Sequence, residues 1–600
     1  MKLVIAEKPS VGQTIARVIG AKSRRNGYFE GAGFIVSWGF GHLIRLAHPE
    51  EYDPKYKSWD LKYLPFLPGV WKYKVIDGKQ EQFQLLKELM KRPDVASVVC
   101  ATDAGREGEL IFRLLYKMAA CKKPVERLWI SSLEDKAVAE GFKNLRPGQQ
   151  FENLYASADC RSKADFLVGI NETRLLTRQY RTSLNAGRVQ SPTLVLVVER
   201  QLAIDSFVST EFYTVMLDAG FSLKSARIET EADARKILAA CRAAGKITVT
   251  GVKQEQKTAS PPKLYDLTVL QREANRLFGY TARQTLDAAQ NLYEKKLLTY
   301  PRSDSRYLTA DMAPLVPKLV SLAARTFQLP APAAINAALV INDKKVSDHH
   351  ALIPTENIAS LPPLPETEAA VLKLVSARLL AATGEKRVYK TTAVAALCAG
   401  HEFSAKGREI ITEGWKTIEA AYKASLKLAA PETGPENDLE EGAAEEEESG
   451  GGEILPALRE GESREIISGE IKTGKTTPPK PFTEDTLLAA MESGASEIQL
   501  LEDAEKKGLG TPATRAGIIE KLIANKYIER QKKNLVPTEK AKSLAAVLPE
   551  PLKSAKMTAE WENALTLIAR GELRREKFMR DITAFVRELC ALKPSGNIRQ

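Results

Sequence analysis

The chain has 600 residues, 44% hydrophobic and 27% charged; single cores stop growing near roughly 250–300 residues, so about three to five domains are expected. No run approaches the ~18 apolar residues of a membrane span, and MKLVIAEKPS lacks a signal peptide's apolar stretch, so neither membrane insertion nor export is expected, but a reducing cytosol. The formal net charge is +11, and nine acids with no base between residues 431 and 452 leave about +20 elsewhere, a field suited to nucleic acid or simply to solubility.

In chain order, Leu3 to Ala6 read as a short buried strand, Pro9 as a turn, and Val11, Ile15 and Val18 as one face of a helix. The pattern recurs where an apolar run from Val95 to Ala101 leads into TDAGREGE and then a helix with Leu110, Ile111, Leu114 and Leu115. Two strand–acidic turn–helix units predict an α/β domain over residues 1–150, with ligands at the strand ends, where Glu7 and Asp103 fall.

Residues 151–204 read as helical, interrupted by NAGRVQSP, and 205–259 as alternating strands such as EFYTVMLDAGF. Helices resume over 260–385, strands over 386–477, and helices over 478–600. The acidic, glycine-rich stretch 431–452 is too poor in apolar residues to order itself. A weak repeat sets PPKLYDLTVLQREA against PPKPFTEDTLLAAME, and TYPRSDSR against GTPATRAG, predicting two small helical domains of related design. The six cysteines are scattered with no CxxC pair, which excludes the usual cysteine zinc ribbon.

Asp103 and Glu107 lie on one turn, and Glu7 lies on the neighbouring strand end. Three converging carboxylates repel one another, and oxygen-only donors favour magnesium; the alternative is a helix N-terminus with favourably placed acids. In LLTYPRSDSRYL, Tyr300 stands beside Pro301 and Arg302. A phenol is a poor nucleophile unless cations stabilise its phenolate, which Arg302 could do while gripping a phosphate; the alternative is a packed tyrosine.

AEKPS and TDAGREGE together resemble the Toprim domain, although Gly105 stands where that pattern usually has a second acid. The tyrosine segment resembles the active-site segment of type IA DNA topoisomerases. Four further segments resemble that family in the same order: RSKADFLVGINETR, NAGRVQSPTL, SDHHALIPT and LGTPATRAGIIEKL. Within the family, the length and the absence of cysteine repeats resemble the bacterial topoisomerase III branch most. Rival readings are a relaxing enzyme of the topoisomerase I branch, and a Toprim nuclease or primase.

The resemblance implies a multidomain fold: a Toprim α/β domain, two helical winged-helix-like domains and a strand-rich arch, forming a ring with a central hole. Tyr300 would cut single-stranded DNA through a 5′-phosphotyrosine without ATP, assisted by Arg302, Lys8 and Glu7. Glu7 and Asp103 would hold Mg2+, with Glu107 orienting water or a neighbouring base. Asn185, Ala186, Gly187, Arg188, Val189 and Gln190 would line a strand-binding groove with Thr511, Thr514 and Arg515. Phe166 would stack on a base, Arg174 reach a phosphate, and His349 or His350 contact phosphate or the network near Tyr300. The expected substrates are single-stranded regions of duplex DNA and catenanes. The expected setting is a monomer in the bacterial nucleoid, with a helicase or single-strand-binding protein as partner.

Overall fold

The computed structural model describes residues 1–130, 133–346, 349–426, 454–494 and 508–592; the stretch 431–452 lies outside them. The opening strand, Lys2–Ala6, runs parallel to Phe34–Trp38 on one side and Ser97–Ala101 on the other, with Ala6 level with Trp38 and Ala101. Leu3, Val4, Ile5 and Ala6 are all buried, because helices cover both faces of a parallel sheet and leave no solvent side for alternation. Val125–Arg127 extends the parallel part, while Tyr28–Gly31 and Arg146–Pro147 join antiparallel to neighbouring strands. Helix Pro9–Val18 follows the first strand and helix Arg106–Met118 the Ser97–Ala101 strand, so Glu7 and Asp103 stand on adjacent strand ends.

Two chain segments separated by hundreds of residues build the next unit. Leu176 and Leu194, from helices Glu152–Tyr180 and Gln190–Asp205, share a core with Leu488, Leu522 and Tyr527. The last helices, Ala555–Ala569 and Arg575–Ala591, pack Leu565 and Phe578 against Leu167 of the long helix. Between these segments the chain forms a seven-stranded antiparallel sheet centred on Lys246–Ala259, Arg387–Cys398 and His401–Thr412. Helix Glu231–Ala244 closes one face of this sheet with Ala234, Leu238 and Cys241. Lys416–Ser425, predicted as part of a strand region, is a helix instead. Its Ile418 and Tyr422 enter the core of the tyrosine-bearing unit, a burial at helical spacing that outweighs the alternation preceding it.

The repeat is real but its pairing differs from the one the sequence suggests. Thr281 caps helix Ala282–Glu294 through Gln284, and Thr511 forms a capping box with Thr514 at helix Pro512–Ala524. Both helices lead to a lysine with positive φ, Lys296 at 62° and Lys526 at 58°. The next residues then turn back to the helix, Leu297 N to the Leu292 carbonyl and Tyr527 N to the Leu522 carbonyl, each at 2.9 Å. GTPATRAG therefore matches YTARQTLD, and TYPRSDSR begins level with the strand Ile528–Gln531, with Tyr300 at the place of Arg530. A threonine followed by a basic residue marks a helix cap in one segment and the stretch after such a helix in the other, so composition alone mispairs them.

Contacts close the units into a ring. Asn171 exchanges hydrogen bonds with Phe66 between the groove unit and the Toprim unit. Tyr300 bonds Asp103 between the tyrosine unit and the Toprim unit. Glu484 accepts from Ala282 N at 2.6 Å between the C-terminal and tyrosine units.

Beneath the NAGRVQSP turn, Glu172 is fully buried, with Ser191 Oγ 3.5 Å from one oxygen and, among the described residues, no partner on the other. Burial pushes its carboxyl up from 4.5 to about 8. The unfolded chain releases this proton near 4.5 while the folded chain keeps it to about 8, so stability falls as pH rises through that window. Glu172→Gln should raise the unfolding midpoint at pH 8, with a gain that shrinks toward pH 5; chemical denaturation at both values measures it.

Candidate active site at a domain seam

Glu7 is 5% exposed, and one of its oxygens accepts from Asp103 N at 3.3 Å. Burial first, then the charge of Asp103, raises its carboxyl to about 8, with Arg302 and Lys8 pulling the other way. The Asp103 turn is fixed from beneath by Arg127, a fully buried side chain. Its Nη2 donates to the Asp103 carbonyl at 2.7 Å, and its Nη1 to the carbonyls of Cys100, Thr102 and Leu128. Gly108 permits the close return of the helix: a Cβ there would lie 2.1 Å from the Asp103 carbonyl oxygen.

Tyr300 reaches this pair from the opposite unit. Its hydroxyl donates to Asp103 Oδ2 at 2.9 Å. The ring lies over His349, with centroids 4.1 Å apart, and meets the edge of Tyr293 at 5.4 Å. Burial, then the charge of Asp103, holds the phenol well above its ordinary range, while Arg302 draws it down. Burial lowers His349 to about 3, so this imidazole is neutral at pH 7. Two ion pairs cross the same seam: Lys8 with Glu294 at 3.1 Å, and Lys296 with Asp135 at 2.7 Å.

A cavity of about 660 Å³ opens beside these groups, lined by Glu7, Lys8, His42, Glu107, Glu294 and Arg302. Glu107 does not join the other two carboxylates. It is hydrogen-bonded to His42, because the first turn of its helix faces the loop after Phe34–Trp38. Among the described residues no three His, Cys, Asp or Glu side chains come close enough to share a metal. The adjacent pair Glu7 and Asp103, all-oxygen and mutually repelling, fits a single hard divalent ion that keeps most of its water. His42 and Glu294 escape a sequence reading, since a lone histidine or a helical glutamate carries no signal until the fold supplies its neighbour.

The residues expected in the groove fall into two groups. Asn185, Ala186, Gly187, Val189 and Gln190 come together with Thr511 and Thr514. A Cβ on Gly510 would stand 3.1 Å from Thr514 and 3.4 Å from Val189, and Asn185 N donates to Tyr527 Oη at 2.8 Å. Gln190 is buried and its amide reaches the Asn185 carbonyl at 3.4 Å, while Thr511 and Thr514 bond each other at the helix cap. The arginines are a different matter. Arg188 is buried between Asp165, at 2.7 Å, and Glu562, at 3.0 Å, and its guanidinium stacks on Trp561. Arg174 is buried, donating to the Tyr56 carbonyl at 2.8 Å and to Glu50 at 3.1 Å, rather than being held out for a phosphate. Arg515 is buried against Thr268. A long guanidinium stem fills interior space and finds oxygen acceptors there, which motif spacing cannot reveal. Phe166 is half-buried among Phe66, Trp71 and His48 rather than standing free. His350 is buried, its Nδ1 2.8 Å from the Ala351 carbonyl.

Comparison with known proteins agrees along the whole chain. Residues 2–133 match the Toprim domain and residues 149–580 the DNA topoisomerase family. The DNA topoisomerase 3 of Shouchella clausii is 40% identical over 613 residues, covering 98% of this chain and 81% of the relative. That of Bacillus subtilis is 39% identical over 606 residues, with the same coverage. The structure of full-length topoisomerase I from Thermotoga maritima shares the fold at a TM-score of 0.70 and 21% identity, covering 98% of this chain and 90% of that one. The chain belongs to the type IA DNA topoisomerases, in their bacterial topoisomerase III branch.

Proposed function

We propose that Tyr300 cuts one strand of DNA by transesterification at the Toprim seam, passes another strand or duplex through the opening, and reseals it. The supporting observation is the hydrogen bond of 2.9 Å from the Tyr300 hydroxyl to Asp103, beside a Glu7 that stays protonated to about pH 8. Asp103 takes the phenolic proton as the Tyr300 oxygen attacks phosphorus. The bond from phosphorus to the 3′-oxygen breaks, and Glu7 gives its proton to that oxygen. Arg302 stabilises the phenolate and the phosphate, and Lys8 leaves Glu294 to meet the same phosphate. Glu7 and Asp103 would hold Mg2+, whose charge helps place the 3′-hydroxyl for resealing.

One phosphodiester replaces another, so no nucleotide is consumed; the string GEIKTGKT (469–476) has the spacing of an ATPase phosphate loop but runs as the antiparallel strand Ser468–Lys475 instead of a turn opening a helix. The substrates are single-stranded regions of negatively supercoiled DNA and linked DNA molecules, threaded through the central hole of the ring. The groove built by Asn185–Gln190 and Thr511–Thr514 carries the strand to Tyr300. No helix among the described residues is long and apolar enough to cross a membrane. The kinship with bacterial DNA topoisomerase 3 enzymes supports action in the bacterial cytoplasm, and the same proposal has the chain act as a monomer at the nucleoid beside a helicase or single-strand-binding protein.

Tyr300→Phe should abolish the covalent adduct recovered after denaturing the protein on a labelled single-stranded oligonucleotide. An adduct that survives this change refutes the assignment of the nucleophile. Asp103→Asn should cut magnesium-dependent relaxation by at least about a hundredfold while oligonucleotide affinity changes little; parallel losses of both count against its role.

The protonation of Glu7 gives a pH signature. Its raised carboxyl is protonated, and able to donate, below about 8. Oligonucleotide cleavage without metal should therefore decline as pH rises through 8. A Glu7→Gln protein that keeps the same alkaline decline would show that another group titrates.

A further inference from the structure

Arg515 belongs by motif to the strand-binding groove, yet the fold turns it the other way. It is fully buried in the seam between the C-terminal unit and the tyrosine unit. Its Nη1 donates to Thr268 Oγ1 at 2.7 Å and its Nε to the Leu509 carbonyl at 3.3 Å, while Nη2 has no hydrogen-bond partner among the described residues. Burial lowers its pKa, with Glu492 and Asp266 opposing that through space. An incompletely satisfied guanidinium is costly to bury, so a purely space-filling role would be better served by a leucine or methionine.

What it holds is a three-residue span that also grips the tyrosine loop. Thr268 lies in the first turn of helix Leu267–Phe278, and Asp266 caps that helix by accepting from Val269 N at 2.8 Å. Asp266 also pairs with Arg306 at 3.2 Å, and Leu267 N donates to the Ser303 carbonyl at 3.0 Å. Residues 266–268 are thus fixed on one side by Arg515 and on the other by the loop that carries Tyr300 and Arg302.

We infer that Arg515 is a positioning residue that sets the register of the Tyr300 loop against the groove unit, governing the rate of cleavage and not the affinity for DNA. This rests on cleavage by Tyr300. The test uses full-length Arg515→Lys, Thr268→Val and the double variant. Three quantities are read: the Kd for a 3′-labelled single-stranded oligonucleotide at two salt concentrations, the single-turnover rate of adduct formation, and the unfolding midpoint. Each single change should slow adduct formation about tenfold, because small misplacements of reacting atoms are expensive, with Kd within about twofold and the double variant no slower than the slower single. A weaker Kd with a salt dependence reduced by about one phosphate contact would return Arg515 to the groove and overturn the inference. So would an unchanged rate per folded molecule with a lowered midpoint, or rate losses that multiply in the double variant. Absence of an adduct with the unsubstituted chain would overturn both this inference and the reading it rests on; an adduct there with normal rates in the variants overturns the inference alone.

Discussion

The hydrogen bond from Tyr300 to Asp103 joins two units that have no peptide connection near it, and the rest of the structure keeps its two ends in place. On the Toprim side the support is rigid. Asp103 follows a fully buried strand, Arg127 takes up four carbonyls around it, and Gly108 lets the next helix press against its backbone. On the other side Thr299 N donates to the Ile353 carbonyl at 3.1 Å, and Ile353 N returns to Thr299 Oγ1 at 3.0 Å. The phenol is therefore held by a laced backbone, with His349 and Tyr293 packed on its ring.

Rigidity at both ends contrasts with the character of the seam itself. Lys8–Glu294 and Lys296–Asp135 are ion pairs of partly exposed side chains, a class worth about 0–1 kcal/mol each. Water replaces such contacts at little cost when two surfaces part. An apolar seam would lose about 25 cal/mol for every Å² it exposed. A gate that must separate and return is better served by the polar kind, and the C-terminal seam follows suit with Arg272–Asp485 and Ala282–Glu484. Electrostatic repulsion works in the same direction at the centre. Glu7 is buried and pressed against Asp103, so burial first and this repulsion second keep on it a proton that an isolated carboxyl would have released.

Much of this was legible in the chain. The two strand ends with their acids follow from apolar runs that stop at Glu7 and Asp103, because a parallel strand buried on both faces can be read without knowing its partner. The duplicated helical unit could be seen too, but not its alignment, since Thr281 and Thr511 share a capping role that the more conspicuous tyrosine segment obscures. Helix Lys416–Ser425 was hidden because its apolar face is completed by another unit's core. Most departures at the site concern long charged side chains: Arg174, Arg188 and Arg515 turn inward, and Glu107 turns to His42. Motif spacing fixes where a Cα lies. It leaves open several rotatable bonds, and the fold decides among them by what lies within reach.

The repeat gives the tyrosine's location a physical reason. In both copies a capped helix is followed by a left-handed lysine, and the chain then makes a β contact, an isolated bridge at Leu298 in one and the strand Ile528–Gln531 in the other. The strand residue at the place of Tyr300 is Arg530, which bonds Glu484 and Glu520 within its own unit. A side chain at this position thus follows a hydrogen-bonded backbone and projects beyond it. In one copy it reaches back to the unit's own acids; in the other it crosses to acids of a neighbouring unit. Docking between units then decides whether Tyr300 meets Asp103, and the two meet only while the ring is closed.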